Sequence, residues 1–419
     1  MIQYRKIFRR LSKRQGNLDA LHVDATLAYI DSYWDTLTCT NKVDHGTIIG
    51  LPHPYIVPAN DKKAAFTFQE QYYWDSYFTA LGLVNTKRWP IAEGMLENLI
   101  YLFERFGLIP NSSRAYHLSH SQPPLLTSYI RLVYDQGRKD HAWLKQHMAV
   151  AEKEYDTVWM NTAHPLWHQV HKGLSRYYDI HVLHDLAETE SGWDMTPRFE
   201  RKCLDYLPID LNCLLYKYEQ DLAWAAKECS QPKAAEKWRR RAADRKQTIS
   251  ELMWHERKGF FFDYNYNTGK LSDIWSLAGV FPLWAGLATK EQAARIVKNL
   301  QKFDHVGGLS ITTKPLIDMS IFGSIKTQWA YPNGWAPPIW IVAEGLKNYG
   351  YEAEAKTIAR KWLHTNLLWF ERHGVFLEKY NVVKPTKHPV EGVYPSQTGF
   401  GWTNAIFAAL CREWLDGEG

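Results

Sequence analysis

The stretch Tyr72-Tyr73-Trp74-Asp75-Ser76-Tyr77-Phe78 begins a helical segment with aromatic side chains on both sides of a carboxylate. The preceding stretch 51–58 contains several prolines, which exclude a helix there and predict an extended approach. Comparable aromatic and polar stretches precede other helical segments, at residues 109–124, 327–337, 376–381 and 394–404. Their recurrence indicates that one end of a helical fold collects aromatic faces together with amide, hydroxyl and carboxylate groups.

Helical periodicity extends over most of the 419 residues. Apolar residues recur at helical spacing in 235–252, 293–300 and 355–362, and the segment 125–134 begins after two prolines, as a helix often does. Roughly a dozen such segments are recognisable, whereas strand-like stretches are short, for example 260–264 and 375–380. No linker rich in Pro, Gly or Ser divides the chain, so we predict one all-α domain over residues 1–419.

The composition is that of a soluble globular protein, with 45% apolar and 23% charged residues. The 19 Trp and 24 Tyr are unusual, and aromatic faces along a cleft suit sugar rings, although they also suit a large aromatic core. A net charge of +5 is too small to indicate nucleic-acid binding. We expect a small saccharide as the binding partner, no nucleic acid, and a monomer or weak homo-oligomer.

Cysteines and histidines give no sign of a metal or a cofactor. The five cysteines are scattered and predict reduced thiols, which fits the cytoplasm. The 17 histidines show no metal-ligand spacing and no Gly-rich loop indicates a nucleotide, so we expect neither a metal nor another cofactor. Residues 1–16 are basic but no apolar run follows, which predicts a solvated helix rather than a signal peptide or membrane anchor.

The stretch Glu190-Ser191-Gly192-Trp193-Asp194-Met195-Thr196-Pro197-Arg198-Phe199 places a glycine, a tryptophan and a carboxylate side by side. Because proline disfavours a helix at the residue before it, Thr196 is predicted to be extended and Asp194 to lie on a loop. Loops on a rigid framework often carry catalytic side chains, but an aspartate there can also cap a helix. The stretch alone leaves both interpretations of Asp194 open.

Together these stretches resemble the trehalase family, glycoside hydrolase family 37. The strongest correspondences are residues 72–78, Pro332-Asn333-Gly334-Trp335-Ala336-Pro337 and Gly399-Phe400-Gly401-Trp402-Thr403-Asn404. The resemblance implies an (α/α)6 barrel, a toroid of six helical hairpins with long loops around a substrate cleft. It also implies an inverting glycoside hydrolase that cleaves the α-glucosidic bond of trehalose or a related small α-glucoside by general acid and base catalysis, with direct attack of water.

The resemblance also implies roles for individual residues. Asp194 falls on the family's general acid, in Ser-Gly-Trp-Asp, and Glu378 falls on its general base, in Glu-Lys-Tyr. The implied substrate-binding residues are Trp74, Asp75, Asn111, Gln122 and Trp329. Ordinary interpretations also remain. Asp75 could be a first-turn aspartate and Glu378 a surface glutamate. Turn capping or core packing could explain Asn111, Gln122 and Trp329.

Charged residues are missing at several positions where the family usually has them. Thr67 and Gln69 replace two arginines, His120 replaces a third, and Ala330 and Val393 replace carboxylates. The stretch 177–190 also has no counterpart of the family's Arg-Pro-Glu-Ser segment. Because such groups fix sugar hydroxyls, their loss changes recognition more than chemistry. We therefore expect trehalose to be a poor substrate or to be held by groups outside the family motifs.

Three alternatives remain at this point. A hydrolase of the glucosylglycerate or mannosylglycerate type on the same barrel is favoured by the short chain and the missing arginines. A glycoside phosphorylase would attack with phosphate and would not need a basic carboxylate, so Glu378 argues against it. A non-catalytic sugar-binding protein is disfavoured because Asp194 and Glu378 are both present.

Overall fold

The computed structural model describes residues 20–61, 67–161, 163–164, 166–314, 327–392 and 394–415. In these residues the α-helices are α1 Ala20–Leu37, α2 Tyr73–Leu83, α3 Trp89–Phe106, α4 Leu126–Val133, α5 His141–Glu154, α6 His184–Glu190, α7 Ile209–Glu228, α8 Pro232–Met253, α9 Phe281–Trp284, α10 Lys290–Asn299, α11 Ala336–Asn348, α12 Glu352–His373 and α13 Gly401–Trp414. The predictions for residues 1–16 and for Val393 lie outside the described residues.

The strands are short and form small antiparallel ladders. They are β1 Thr38–Cys39, β2 Tyr55–Ile56, β3 Gln169–His171, β4 Leu174–Ser175, β5 Tyr206–Leu207, β6 Trp254–His255, β7 Phe260–Phe261, β8 Tyr264–Asn265, β9 Lys270–Leu271, β10 Asp304–His305, β11 Gly308–Leu309, β12 Asn333–Trp335 and β13 Lys379–Asn381. The predicted strand 260–264 is thus divided between β7 and β8, and the stretch 375–380 is a strand only from Lys379.

Six helices, α2, α4, α7, α9, α11 and α13, form an inner ring. Each contacts the next, and α13 contacts α2, so the ring is closed. Inner helices are buried on most sides; all eleven residues of α2 are buried. A helix that is buried all round belongs in the interior of a protein, which explains why these segments are rich in aromatic and small residues.

The outer layer consists of α1, α3, α5, α8, α10 and α12. Each of these helices precedes an inner helix in the chain, and only between α5 and α7 does the short α6 intervene among the described helices. Helix α8 shows the outer pattern, because its buried residues form one stripe: Ala235, Trp238, Ala242, Arg245, Ile249 and Met253. This amphipathic pattern is the periodicity seen in the sequence. Six hairpins arranged in this way form an (α/α)6 barrel, so the predicted all-α fold is confirmed.

Close packing between α2 and α13 closes the ring. A Cβ atom on Gly82 would lie 2.4 Å from the Cα atom of Ala405, so only glycine fits at this crossing. The Arg412 guanidinium donates to the carbonyl oxygens of Leu81 and Gly82 near the end of α2. These carbonyls have no partner within their own helix, and a cation is favourable at a helix C-terminus.

Within the described residues, no helix is both long and apolar enough to cross a membrane. That residues 1–419 form a single domain stays a prediction.

Candidate active site

Asp194 lies on the loop that follows α6, as the position of Pro197 predicted. The loop begins with a turn in which Gly192 has φ +69°, a conformation that favours glycine. A Cβ atom on Gly192 would also lie 2.7 Å from the Trp74 indole, so the turn can approach this ring only as glycine. The protein covers most of Asp194 but leaves it some exposed surface, in contrast to the fully buried Trp193.

Several hydrogen bonds hold this loop in place. The buried Glu188 of α6 accepts from the backbone N–H of Thr196 at 2.7 Å. The Gln328 side-chain amide donates to the carbonyl oxygen of Asp194 at 2.7 Å, and Trp329 N–H donates to the carbonyl of Met195. The loop is therefore fixed from both sides, by α6 and by the chain segment that leads into β12.

The ionisation of Asp194 suits a proton donor. Burial, reinforced by the charge of Glu378, raises the pKa of Asp194 to about 6, although its own backbone N–H, His120 and Lys379 act in the opposite direction. A carboxyl group with such a pKa keeps its proton to a higher pH than an ordinary aspartate does, as a general acid needs.

Glu378 lies directly before β13 and is almost completely buried. Its Oε2 accepts from Lys379 Nζ at 2.7 Å, and its Oε1 accepts from the Tyr394 hydroxyl at 2.8 Å. The ladder of β12 with β13 sets Trp335 opposite Lys379. Gln328 and Trp329, which hold the Asp194 loop, lie shortly before β12 in the chain. The ladder of β12 with β13 therefore connects this loop to the strand that follows Glu378.

Asp75 occupies the first turn of α2 and is buried. Burial raises its pKa well above the usual range, and the charges of Glu378 and Asp194 add to this effect. Asp75 therefore lies within electrostatic range of both predicted catalytic groups. Asp75, Asp194 and Glu378 come from distant parts of the sequence and lie close enough to affect one another's ionisation. A sugar site needs several such groups, because carboxyl oxygens accept hydrogen bonds from sugar hydroxyls.

Tryptophan side chains next to these residues in the chain belong to one cluster of rings. The Trp74 ring lies 5.8 Å from that of Trp329 and 5.7 Å from that of Trp402, measured between centroids. Trp329 stacks on Trp335 at 3.9 Å with an angle of 7° between the rings, so one of its faces is already covered. Both predicted sugar-contacting rings belong to this cluster, and Trp329 is only 1% exposed.

Asn111 and Gln122 both contact the start of α2. The Gln122 side-chain oxygen accepts from the backbone N–H of Trp74 at 3.0 Å, which satisfies one of the free donors in the first helical turn. Asn111 accepts from Tyr73 N–H through its carbonyl, and its side chain donates to the carbonyl of Thr189. These contacts place both residues beside Trp74 and Asp75, where they also have a structural task.

His120 stands where the family usually has an arginine, and its ring is held between two polar partners. Its Nδ1 lies 2.9 Å from Asp179 Oδ2 and its Nε2 lies 3.1 Å from Thr189 Oγ1. The Thr189 hydroxyl donates to the carbonyl of Leu186, so it accepts from Nε2–H. Both ring nitrogens therefore face oxygen atoms, which fixes the orientation of the His120 ring. Burial would raise the pKa of Asp179, but hydrogen bonds from His120, Ser119 and His181 hold it below its usual range.

Comparisons with known proteins show the family of the chain. A family model described as Trehalase matches residues 8–185 and 161–414. The chain belongs to the trehalase family. It is 35% identical to a periplasmic trehalase of Xanthomonas campestris pv. campestris over 94% of this chain and 74% of that protein. It is also 35% identical to the cytosolic neutral trehalase of Saccharomyces cerevisiae, over 86% of this chain and 56% of that protein.

Solved structures are similar as well. The neutral trehalase from Saccharomyces cerevisiae superposes with a TM-score of 0.77 and 31% identity, covering 93% of this chain and 80% of that chain. A GH63 mannosylglycerate hydrolase from Thermus thermophilus superposes with a TM-score of 0.67 at 17% identity, covering 92% and 99%, which shows the shared fold alone. This trehalase-family chain is accordingly a glycoside hydrolase on an (α/α)6 barrel.

Sequence reasoning assigned no contact to several residues around the predicted catalytic groups, although Gln328 matches a family signature position. Lys379 and Tyr394 contact Glu378, Glu188 and Gln328 hold the Asp194 loop, and Asp179 orients His120. Of these, Lys379 stood inside the Glu-Lys-Tyr motif, so its type and place were visible. Among the described residues, no group of three or more His, Cys, Asp or Glu side chains is placed to hold a metal ion.

Proposed function

We propose that this protein hydrolyses the α-glucosidic bond of trehalose with inversion of configuration, with Asp194 as general acid and Glu378 as general base. The observation that carries the proposal is the contrast between the two groups. Asp194 has a pKa raised to about 6 by burial and by the charge of Glu378, whereas Glu378 lies between an ammonium group and a hydroxyl donor. One group is suited to give a proton and the other to take one.

In the proposed reaction, Glu378 takes a proton from a water molecule, and the water oxygen forms a bond to the anomeric carbon of one glucose unit. The glycosidic C–O bond breaks at the same time, and Asp194 gives its proton to the leaving oxygen. Two glucose molecules are formed, and exchange with solvent returns Asp194 and Glu378 to their starting states. Asp75, Asn111 and Gln122 would hold hydroxyl groups, with Trp74 and Trp329 as the apolar walls.

Trehalose as the substrate is supported by the similarity to curated trehalases at 35% identity over most of the chain. At position 120, where the family arginine is missing, His120 keeps a polar side chain bonded to Asp179 and Thr189, which weakens the expectation of a poor substrate. By contrast, Gln69 is exposed, Thr67 donates to the carbonyl of Ala59, and Ala330 is buried, so these positions offer no substitute charge.

The stereochemistry can be read from the products. Both halves of trehalose are α-linked, so inversion at one anomeric carbon releases one β-glucose and one α-glucose. Proton NMR of the first turnovers, before mutarotation, should show the two anomers in equal amounts. Two α-glucose molecules would instead indicate retention, with Glu378 as a nucleophile, and would contradict the inverting mechanism.

The assignment of Asp194 can be tested with Asp194→Asn, which keeps the shape but cannot supply a proton. We expect kcat on trehalose to fall by about 10²–10⁴-fold, with circular dichroism and trehalose binding little changed. Asp185→Asn is the matched control, because Asp185 lies on α6 with an exposed side chain paired to Arg201, and it should leave kcat unaltered. A normal kcat for Asp194→Asn would show that another group protonates the leaving oxygen.

A hydrolase of glucosylglycerate or mannosylglycerate remains the second candidate, because Ala330, Thr67 and Gln69 leave the site with fewer charges than the family pattern. A substrate panel with trehalose, glucosylglycerate and mannosylglycerate, with and without phosphate, separates these reactions. The highest kcat/KM is expected for trehalose, with free glucose as the product in both buffers. Formation of a sugar phosphate would indicate a phosphorylase instead.

We further infer a cytoplasmic location and a monomer or weak homo-oligomer. The five cysteines are free thiols, which fits a reducing compartment. The trehalases to which the chain is similar include periplasmic and cytosolic proteins, so similarity does not decide between these compartments. Cell fractionation and light scattering would test the two statements separately.

A further inference from the structure

Lys379 is a completely buried lysine next to the proposed base. Its side chain has no exposed surface, and its Nζ donates to Glu378 Oε2 at 2.7 Å. The same nitrogen lies 4.9 Å from the centre of the Trp335 ring and 5.5 Å from that of Tyr394. An ammonium group without water needs an anion or aromatic faces around it, and Lys379 has both.

Glu378 is a buried carboxylate that needs positive charge or hydrogen-bond donors around it. It is 1% exposed, and a carboxylate in such a place is destabilised unless cations or hydrogen-bond donors compensate. Lys379 is the cation, and the Tyr394 hydroxyl is the second donor, one for each carboxylate oxygen. Each oxygen keeps a further lone pair, so the carboxylate can still accept a proton from water.

The other charged groups around Glu378 do not replace Lys379. Asp194 and Asp75 are carboxyl groups, and the charge of Glu378 raises the pKa of each, so neither supplies a positive charge beside Glu378. His120 acts on Asp194 from the opposite loop but is already paired with Asp179. Lys379 is thus the cation in direct contact with Glu378.

We propose that Lys379 is a positioning residue that keeps Glu378 ionised and correctly oriented as the base. This inference rests on the proposed function of Glu378. It predicts that the enzyme loses activity at acidic pH once the ammonium group is removed, since Glu378 would then hold a proton over a wider range of pH.

The test compares kcat/KM as a function of pH for the wild type and Lys379→Met. An opposite charge at this distance changes the titration of a carboxyl group by about 1–3 pH units, so the acid limb should move to higher pH by that amount. Lys361→Met is the matched control, because Lys361 is also buried and bonds Asp304 at 2.6 Å, outside the site. Its acid limb should stay at the wild-type position. An unchanged acid limb in Lys379→Met would overturn the proposal, whatever happens to kcat.

A second measurement applies even if Lys379→Met folds poorly. Thermal unfolding is measured for Glu378→Gln, Lys379→Met and the double variant. Each single change leaves one buried charge without its partner, whereas the double change removes both, so the Tm losses should be far from additive. Additive losses would show that the pair is not coupled and would overturn the inference. This cycle needs no turnover. If the wild type hydrolysed no glycoside, the proposed function would be refuted, while the Tm values would still decide whether Lys379 and Glu378 are coupled.

Discussion

At the scale of single residues, the pKa of Asp194 connects directly to activity. A general acid must be protonated, so kcat/KM should fall above pH 6, the region where burial and the charge of Glu378 place the pKa of Asp194. His120 lowers this pKa, so His120→Gln should move the fall in kcat/KM to higher pH. His147→Gln is a suitable control, because His147 is buried against Glu97 in the outer layer. A profile unchanged by His120→Gln would contradict the effect of His120 on Asp194.

Glu188 provides a stability test that is independent of turnover. Burial, opposed by the Thr196 N–H and reinforced by the charge of Asp194, raises the pKa of Glu188 to about 8. An unfolded chain releases this proton near pH 4.3. Glu188 therefore makes its whole contribution to the free energy of unfolding below about pH 4.3, and this contribution is lost as the pH rises towards 8. The Tm of Glu188→Gln minus the Tm of the wild type should therefore increase between about pH 4.3 and pH 8.

Glu190, two residues later on α6, gives the contrasting case. It accepts from the backbone N–H groups of Ser121 and Tyr178 and from His168. Glutamine would turn an N–H₂ group towards these donors, so Glu190→Gln should lower Tm at neutral pH. Equal Tm changes in the two variants would mean that Glu188 is not destabilised by its surroundings.

The limits of sequence reasoning are clearest at this scale. Pro197 was sufficient to place Asp194 on a loop, because a proline disfavours a helix at the preceding residue, Thr196, which is two positions from Asp194. The contact of His120 with Asp179 was missed because the two residues are 59 positions apart in the sequence. Likewise, Gln328 and Asp194 are 134 residues apart. Such pairs depend on how helices pack, which periodicity alone does not determine.

At the scale of elements, the segment before β12 positions the Asp194 loop. Gln328→Leu removes the hydrogen bond to the Asp194 carbonyl while keeping most of the side-chain volume. We expect kcat to fall by up to about 10²-fold, since small displacements of a catalytic group are costly. The control is Asn299→Leu, which removes amide bonds to the carbonyls of Lys258 and Gly259 away from the site. Equal kcat values in both variants would contradict a positioning role for Gln328.

The helices themselves were easier to predict than their connections. The stripe Ala235–Leu252 was recognisable because an outer helix has one buried and one exposed face. The short ladders, such as β12 with β13, were not, because two or three residues carry too little pattern. These ladders nevertheless hold the proposed base next to Lys379 and Trp335.

At the scale of the whole molecule, the crossing of α2 and α13 closes the barrel. Replacing a helical glycine with alanine normally stabilises a protein by about 1 kcal/mol. Gly82→Ala should do the opposite and destabilise the protein by about 1–3 kcal/mol, because the new methyl group would meet Ala405. Thermal unfolding gives the sign directly, and a higher Tm would show that the two helices can separate without cost.

The same crossing affects how the protein is made. Arg412 binds the carbonyl of Gly82, which was added to the chain 330 residues earlier. At a synthesis rate of about 5–20 residues per second, α2 waits on the order of half a minute for its partner. During that time the surface of α2 at Gly82, which Ala405 of α13 will cover, stays open to other nascent chains and to chaperones. A chain that ends before α13 would therefore leave the barrel with an open side.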